Sequence, residues 1–413
     1  MGDRFARFSA ICAAAALLAL LPSAPVTAAD QLGWHLVAVD AEAAWKTADG
    51  SGVTVAVVDS GVDADHPDLR DTVLPGRSFV DTDAALRPLA LGGDGGPASD
   101  DAFGHADPVG HGTAVAGIIA GHRESGLPGV APGAEILPVR VLDEENRYHD
   151  SAKVAEAVEW AVDNGADIVN LSLGGHYESP DFRDAVGYAA AHDVLVVACT
   201  GNQSDADSGE QVWFPASDED VLAVTGTGRT GQRWPTAITG DATDLAAPGA
   251  ELPAADAGGS YKTVTGTSFA AAVVSGVAAL VRSAHPDLTA VEVRRVLTSS
   301  ATGHGPGLGA GIVNAAAAVA TDPDRLPPPA IDLRTDSETS AAWPVTAAAA
   351  GTGLLCLSLL LLRSRRTGRA AEPAKARRPA RTPLPAGGRD CLPESTDDAG
   401  PVAPDFFPLR GRR

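Results

Sequence analysis

Four stretches of the chain are nearly uninterrupted apolar, β-branched runs that stop at turn formers: "VTVAVVDSG" (53–61), "DIVNLSLGG" (167–175), "VLVVACTGN" (194–202) and "VLAVTG" (221–226). Runs of this kind, lacking polar alternation, predict strands buried on both faces. Between and after them the period changes. "KVAEAVEWAVDNG" (153–165) repeats apolar residues at helical spacing and ends on Gly165, a residue suited to a left-handed C-terminal cap. "LTAVEVRRVLTSSA" (288–301) opens with Thr289 and has Glu292 three positions on, the spacing of a capping box. Buried strands alternating with helices predict an α/β fold over residues 30–320, with a mostly parallel central sheet covered on both faces.

Two more apolar runs lie outside that region. "FSAICAAAALLALL" (8–21) follows Arg4 and Arg7 and precedes the small residues of "PVTAAD", which predicts a secretory signal over 1–29 cut after Ala28 or Ala29. An uncleaved anchor is the other reading, although the run falls short of the ~20 residues a spanning helix needs. "WPVTAAAAGTGLLCLSLLLL" (343–362) does have that length, and Arg363, Arg365, Arg366 and Arg369 follow it at once. It reads as a single transmembrane helix with Trp343 at one interface and the arginines on the cytoplasmic side, or else as a buried core helix. Residues 321–342 ("TDPDRLPPPAIDLRTDSETSAA") form a Pro-rich linker, and 363–413 a basic, disordered-type cytoplasmic tail.

Charge agrees with two compartments. The whole chain carries −22, yet the tail from Arg363 holds 12 Lys and Arg against 6 Asp and Glu, so the acidic excess lies wholly ahead of it. Such acidity argues against a nucleic-acid binder. Of the four cysteines, Cys12, Cys356 and Cys391 fall in the signal, the spanning run and the tail, which leaves Cys199 alone in the exported part with no disulfide partner there. Cys199 reads as a small buried hydrophobe.

In an open parallel sheet, functional groups gather past the carboxyl ends of the strands. Asp59 ends the first run, and His111 opens "GHGTAVAGIIAG" (110–121). Ser268 lies in "GTSFAAAVVSG" (266–276) in front of an apolar helical run. Alone, Ser268 reads as a helix-capping serine. With a carboxylate and an imidazole at comparable junctions, it reads as a nucleophile whose proton a His accepts while an Asp orients the ring. Asn202, at the end of "ACTGN", offers a side-chain amide to a developing oxyanion.

The motifs "VAVVDSGVDADHPDL", "GHGTAVAGIIAG", "GVAPGAEILPVRVL", "ADIVNLSLGG" and "GTSFAAAVVSG" resemble those of subtilisin-like serine proteases, in the chain order Asp, His, Ser, over roughly residues 34–320. The resemblance implies a three-layer subtilisin-like fold and endopeptidase activity on proteins or peptides through an acyl-enzyme; no cofactor and no metal-ligand set is expected. It also implies Asp59, His111 and Ser268 as the triad, Asn202 as oxyanion donor, and Ser172, Leu173 and Gly174 pairing with the substrate backbone. The full layout resembles the mycosins, membrane-anchored subtilases of actinobacterial type VII secretion systems. That implies a single-pass cell-membrane protein with an extracytoplasmic protease domain, and a secretion membrane complex as partner. A structural role in that complex with proteolysis secondary, and an anchored subtilase unrelated to secretion, are the alternatives. The chain departs from the family pattern at Ala272, where Pro is usual, and at Cys199-Thr200, where Ala-Ala is common; Thr200 bears on specificity.

Several residues carry plainer readings. His66 reads as loop packing, and His35, His122, His149, His176, His192, His285 and His304 show no metal-ligand spacing. Asp94, Asp100, Asp101 and Asp107 lie in the long insert 81–108, read as a solvated loop or as oxygen ligands for calcium, and the insert itself as a rim or lid of the cleft. The segment "QLGWHLVAVDAEAAW" (31–45) is expected to pack on the domain, and the stretch ahead of residue 53 is too short for an independently folding pro-domain.

Overall fold

The computed structural model describes residues 33–80, 103–124, 126–204 and 209–325. The signal segment, most of the insert with Asp94, Asp100 and Asp101, nearly all of the linker, the spanning run and the basic tail lie outside the described residues.

Seven parallel strands form the centre: β1 (Thr54–Asp59), β2 (Arg77–Ser78), β3 (Glu135–Arg140), β4 (Ile168–Leu171), β5 (Leu195–Cys199), β6 (Val221–Thr227) and β7 (Leu245–Pro248), in the order β2-β3-β1-β4-β5-β6-β7. An antiparallel hairpin, β8 (Leu252–Asp256) with β9 (Ser260–Val264), stands apart. The helices are α1 (Trp34–Ala38), α2 (Ala41–Ala44), α3 (His111–Ala120), α4 (Ser151–Asp163), α5 (Pro180–Ala191), α6 (Thr267–Ala284), α7 (Ala290–Ser299) and α8 (Ala315–Val319).

Alternate strand residues divide between two cores, as the two-residue period of a strand requires. Val55 and Val57 of β1, Leu195 and Val197 of β5, and Leu222 and Val224 of β6 join one core with α3, α6 and α7. Ala56 and Val58, Val196 and Ala198, and Val221 and Ala223 face the other, with α4 and α5. The expected three-layer, parallel-sheet architecture is therefore present. Thr289 accepts from the Glu292 N–H and Glu292 accepts from the Thr289 N–H, completing the capping box, while Gly165 adopts φ 85° just past α4.

The hydrophobic pattern missed β2, β3, β7 and the hairpin. β3 contains Pro138 and ends at Arg140, which breaks the appearance of a buried strand, but its outer neighbour is the two-residue β2, where a missing N–H costs little. The described part of the 31–45 segment, from Gly33 on, packs as expected: Trp34 Nε1 donates to the Glu251 carbonyl (3.1 Å), Trp45 Nε1 to that of Val130 (2.8 Å), and the Val39 carbonyl accepts from the Ala315 N–H (2.7 Å). Among the described residues one helix, α6, is long and apolar enough to cross a membrane, but 89% of its apolar window is buried inside the domain, so it is the core helix. Ala272 lies within α6, fully buried and without a break in the helix.

Candidate active site

β1 ends at Asp59, and α3 begins at His111. His111 Nδ1 donates to Asp59 Oδ1 at 2.7 Å, and the same oxygen accepts the Ser60 N–H at 2.7 Å. With its proton on Nδ1, the neutral ring presents Nε2 as an acceptor. This approach needs Gly112: a Cβ there would sit 2.0 Å from the Gly61 carbonyl oxygen and 3.2 Å from the Asp59 Cβ. The His111 ring packs against Phe269, centroids 5.2 Å apart, which places the imidazole beside the start of α6.

Asp107, placed in the solvated insert by sequence, is instead buried and binds both elements. Its Oδ1 accepts from Ser60 Oγ (2.8 Å) and from the amides of Val109 (3.2 Å) and Gly110 (2.8 Å). Its Oδ2 accepts from the amide (2.8 Å) and hydroxyl (2.6 Å) of Thr113. Ser60 Oγ in turn accepts the Gly112 N–H at 3.0 Å. The loop after the Asp59 strand is thereby pinned to the first turn of the His111 helix. An aspartate four residues before the histidine, inside a Gly-rich polar stretch, carries no periodic signal, yet five donors hold this one in the interior.

Ser268 does not cap α6. Gly266 holds the cap position, and Ser268 occupies the first turn, where backbone N–H groups lack intrahelical acceptors. Ser268 Oγ donates to the Ser172 carbonyl (3.2 Å), and Ser172 Oγ donates to the Ser268 carbonyl (2.8 Å). Behind them Ser275 Oγ donates to Asn170 Oδ1 (3.0 Å), and Asn170 Nδ2 to Ser172 Oγ (2.9 Å), so a fully buried polar chain locks β4 to α6. Leu173 is wholly buried, and a Cβ on Gly174 would meet the Phe214 carbonyl at 2.7 Å.

Cys199 Sγ lies 4.0 Å from Ser268 Oγ and 3.9 Å from the Leu173 carbonyl. Burial pushes the thiol up to about 11, so it remains protonated and inert, as expected of a small buried hydrophobe. Thr200, fully buried, donates its hydroxyl to the carbonyls of Ile238 (2.7 Å) and Val224 (3.2 Å). Asn202 Oδ1 accepts from the Thr267 amide (2.9 Å) and hydroxyl (3.2 Å). Because the amide can only donate, Oδ1 is fixed there and Nδ2 faces the α6 start; a Cβ at Gly266 would be 3.8 Å from it. Thr267, unmarked in sequence reasoning, is thus the residue that aims Asn202. His66 is buried, accepting the Asp68 N–H on Nδ1 (3.1 Å) with Nε2 at the Ser260 carbonyl (3.0 Å), in keeping with loop packing.

The structure thus gathers Asp59, His111, Ser268 and Asn202 at the ends of β1 and β5 and the starts of α3 and α6. A hydroxyl and an oriented imidazole beside an amide donor are suited to acyl transfer, and their chain order on a parallel sheet makes the domain a subtilisin-like serine endopeptidase domain. The chain belongs to the subtilase family, whose sequence profile matches residues 50–320. It is 36% identical to subtilisin E of Bacillus subtilis (strain 168) over 272 residues, 65% of this chain and 66% of that protein. It is 37% identical to subtilisin BL of Lederbergia lenta over 294 residues, 70% of this chain and 99% of that protein. Among solved structures, that of MycP1 with the N-terminal propeptide removed is similar at a TM-score of 0.60 and 28% identity, covering 70% of this chain and 97% of that one. A protease from Pseudoalteromonas arctica PAMC 21717 is similar at a TM-score of 0.60 and 32% identity, covering 72% of this chain and 98% of that one.

Proposed function

We propose that the chain is a membrane-anchored serine endopeptidase that cleaves secreted or cell-envelope proteins outside the cytoplasm, in association with a type VII secretion membrane complex. In this reading Asp59, His111 and Ser268 are the triad, Asn202 is the oxyanion donor, and Ser172, Leu173 and Gly174 line the substrate backbone. The 2.7 Å bond between His111 Nδ1 and Asp59 Oδ1 carries the proposal, because it leaves Nε2 as a base beside the serine-bearing helix.

Ser268 Oγ attacks the scissile carbonyl while His111 Nε2 takes its proton, and Asp59 stabilises the resulting imidazolium. The negative oxygen of the tetrahedral intermediate is met by Asn202 Nδ2 and by the Ser268 N–H at the positive end of α6. His111 then returns the proton to the leaving amine, and the acyl-enzyme forms. Water attacks the ester by the same proton relay and frees Ser268.

The anchor rests on the apolar run 343–362 with its arginine flank, and the secretion role on the mycosin-like layout together with the likeness to MycP1. In cells, the full-length Ser268→Ala variant is expected in the membrane fraction, with the uncut target accumulating. If that variant sustains target processing and secretion, and only removal of residues 30–320 abolishes them, the domain is a scaffold instead.

A further inference from the structure

We infer that Trp213 closes the pocket beside the nucleophile, so that the enzyme accepts only a small side chain (Gly, Ala or Ser) on the residue whose carbonyl Ser268 attacks. The inference rests on the proposed roles of Ser268, Asn202 and Ser172–Gly174.

Ser172 and Asn202 follow the ends of β4 and β5, which are neighbours in the sheet. A substrate extended along 172–174 with its carbonyl oxygen at Asn202 Nδ2 must send that residue's side chain into the gap between 172–175 and 200–202. Both walls offer glycine there, Gly174 and Gly201. The far end is closed by Trp213 and Phe214: the Trp213 N–H donates to the Thr200 carbonyl (3.1 Å), and Phe214 exchanges two bonds with Gly175 (2.7 and 2.9 Å). One short segment therefore stitches the two walls together.

The indole occupies the room the glycines leave. A Cβ on Gly201 would lie 2.4 Å from Trp213 Cδ2, 2.6 Å from Cε2 and 2.7 Å from Cγ, and a Cβ on Gly174 would lie 3.4 Å from the Trp213 Cβ. Trp213 is 4% exposed, and its ring meets His176 edge-on with centroids 6.0 Å apart. Gly201 also has φ 104°, a second reason for glycine at that wall. A buried indole held by backbone bonds at its base and by packing along one face cannot withdraw for a Phe or Leu side chain without breaking that packing.

The test uses the full chain and a matched series of peptides differing only at the residue on the acyl side of the cut. The wild type is expected to favour Ala over Phe by roughly 100-fold or more in kcat/KM, since even one misfitting methylene is worth roughly 10-fold or more. Trp213→Ala is expected to raise the Phe-to-Ala ratio by about 100-fold, with Trp213→Leu in between. Comparable wild-type rates on Phe and Ala overturn the inference, and do so even if neither variant folds; a folded Trp213→Ala with an unchanged ratio overturns it as well. Labelling by a fluorophosphonate separates the two levels. Ser268 labelled without any size preference removes the Trp213 inference alone, whereas absence of labelling at Ser268 removes the underlying assignment and the inference with it.

Discussion

Asn202 turns its side-chain oxygen onto Thr267, accepting from the amide at 2.9 Å and from the hydroxyl at 3.2 Å, and so commits its NH₂ to the start of α6 beside Gly266. Those donors hold the amide before substrate arrives, and a preorganised donor is worth more to the transition state than to the ground state. Asn202→Leu is therefore expected to lower kcat by roughly 10²–10³-fold with KM little changed. Thr267→Ala should produce a smaller loss of the same kind, read by steady-state kinetics, and a KM-only effect in either variant would remove Asn202 from the oxyanion role.

Asp107 is the acceptor for five donors from Ser60, Val109, Gly110 and Thr113. Asp107→Asn replaces an acceptor with a donor facing donors, a conflict that costs about 1–3 kcal/mol per unsatisfied buried group. The expected result is a lower Tm together with a lower kcat, since the same bonds set the spacing between β1 and α3. Melting is best followed in a Ser268→Ala background, where self-digestion cannot obscure the curve. Unchanged Tm and kcat would mean that this loop is not what aligns Asp59 with His111.

Much of this site was legible because it sits where sequence patterns are strongest. Asp59 terminates a run of buried β-branched and small residues, and Ser268 opens the longest apolar helix among the described residues. The capping box at Thr289 is a purely local signal and was readable for that reason. Asp107, Thr267, Asn170 and Trp213 act through partners as distant as 105 residues along the chain, as in the Ser275–Asn170 bond, and no periodicity marks such pairs. β3 was hidden by Pro138, and β7 by its brevity. The three strands of the 53–61, 167–175 and 194–202 runs end earlier than the runs do, because their last residues leave the sheet.

His35 links folding to pH. It lies buried in α1, with no hydrogen-bond partner on either ring nitrogen among the described residues, and burial pushes its pKa down to about 4. The unfolded chain protonates this side chain near its ordinary value of about 6.5, so between those values the unfolded state binds the extra proton. Stability is untouched above pH ~6.5, falls as pH drops through that window, and has lost roughly 3 kcal/mol by pH ~4 from this residue. Denaturant melts at about pH 7 and about pH 4.5, either side of most of that window, should show a smaller acid loss for His35→Leu than for the wild type; equal losses would place the acid sensitivity elsewhere.

The most direct test is single-turnover hydrolysis of a peptide substrate by purified Ser268→Ala, with folding checked by circular dichroism. If Ser268, His111 and Asp59 act as one unit, the rate falls by about 10⁶-fold, the protein stays folded, and adding His111→Ala lowers the rate little further. Hydrolysis by the folded Ser268→Ala variant at the wild-type rate would contradict the assignment of Ser268 as the nucleophile.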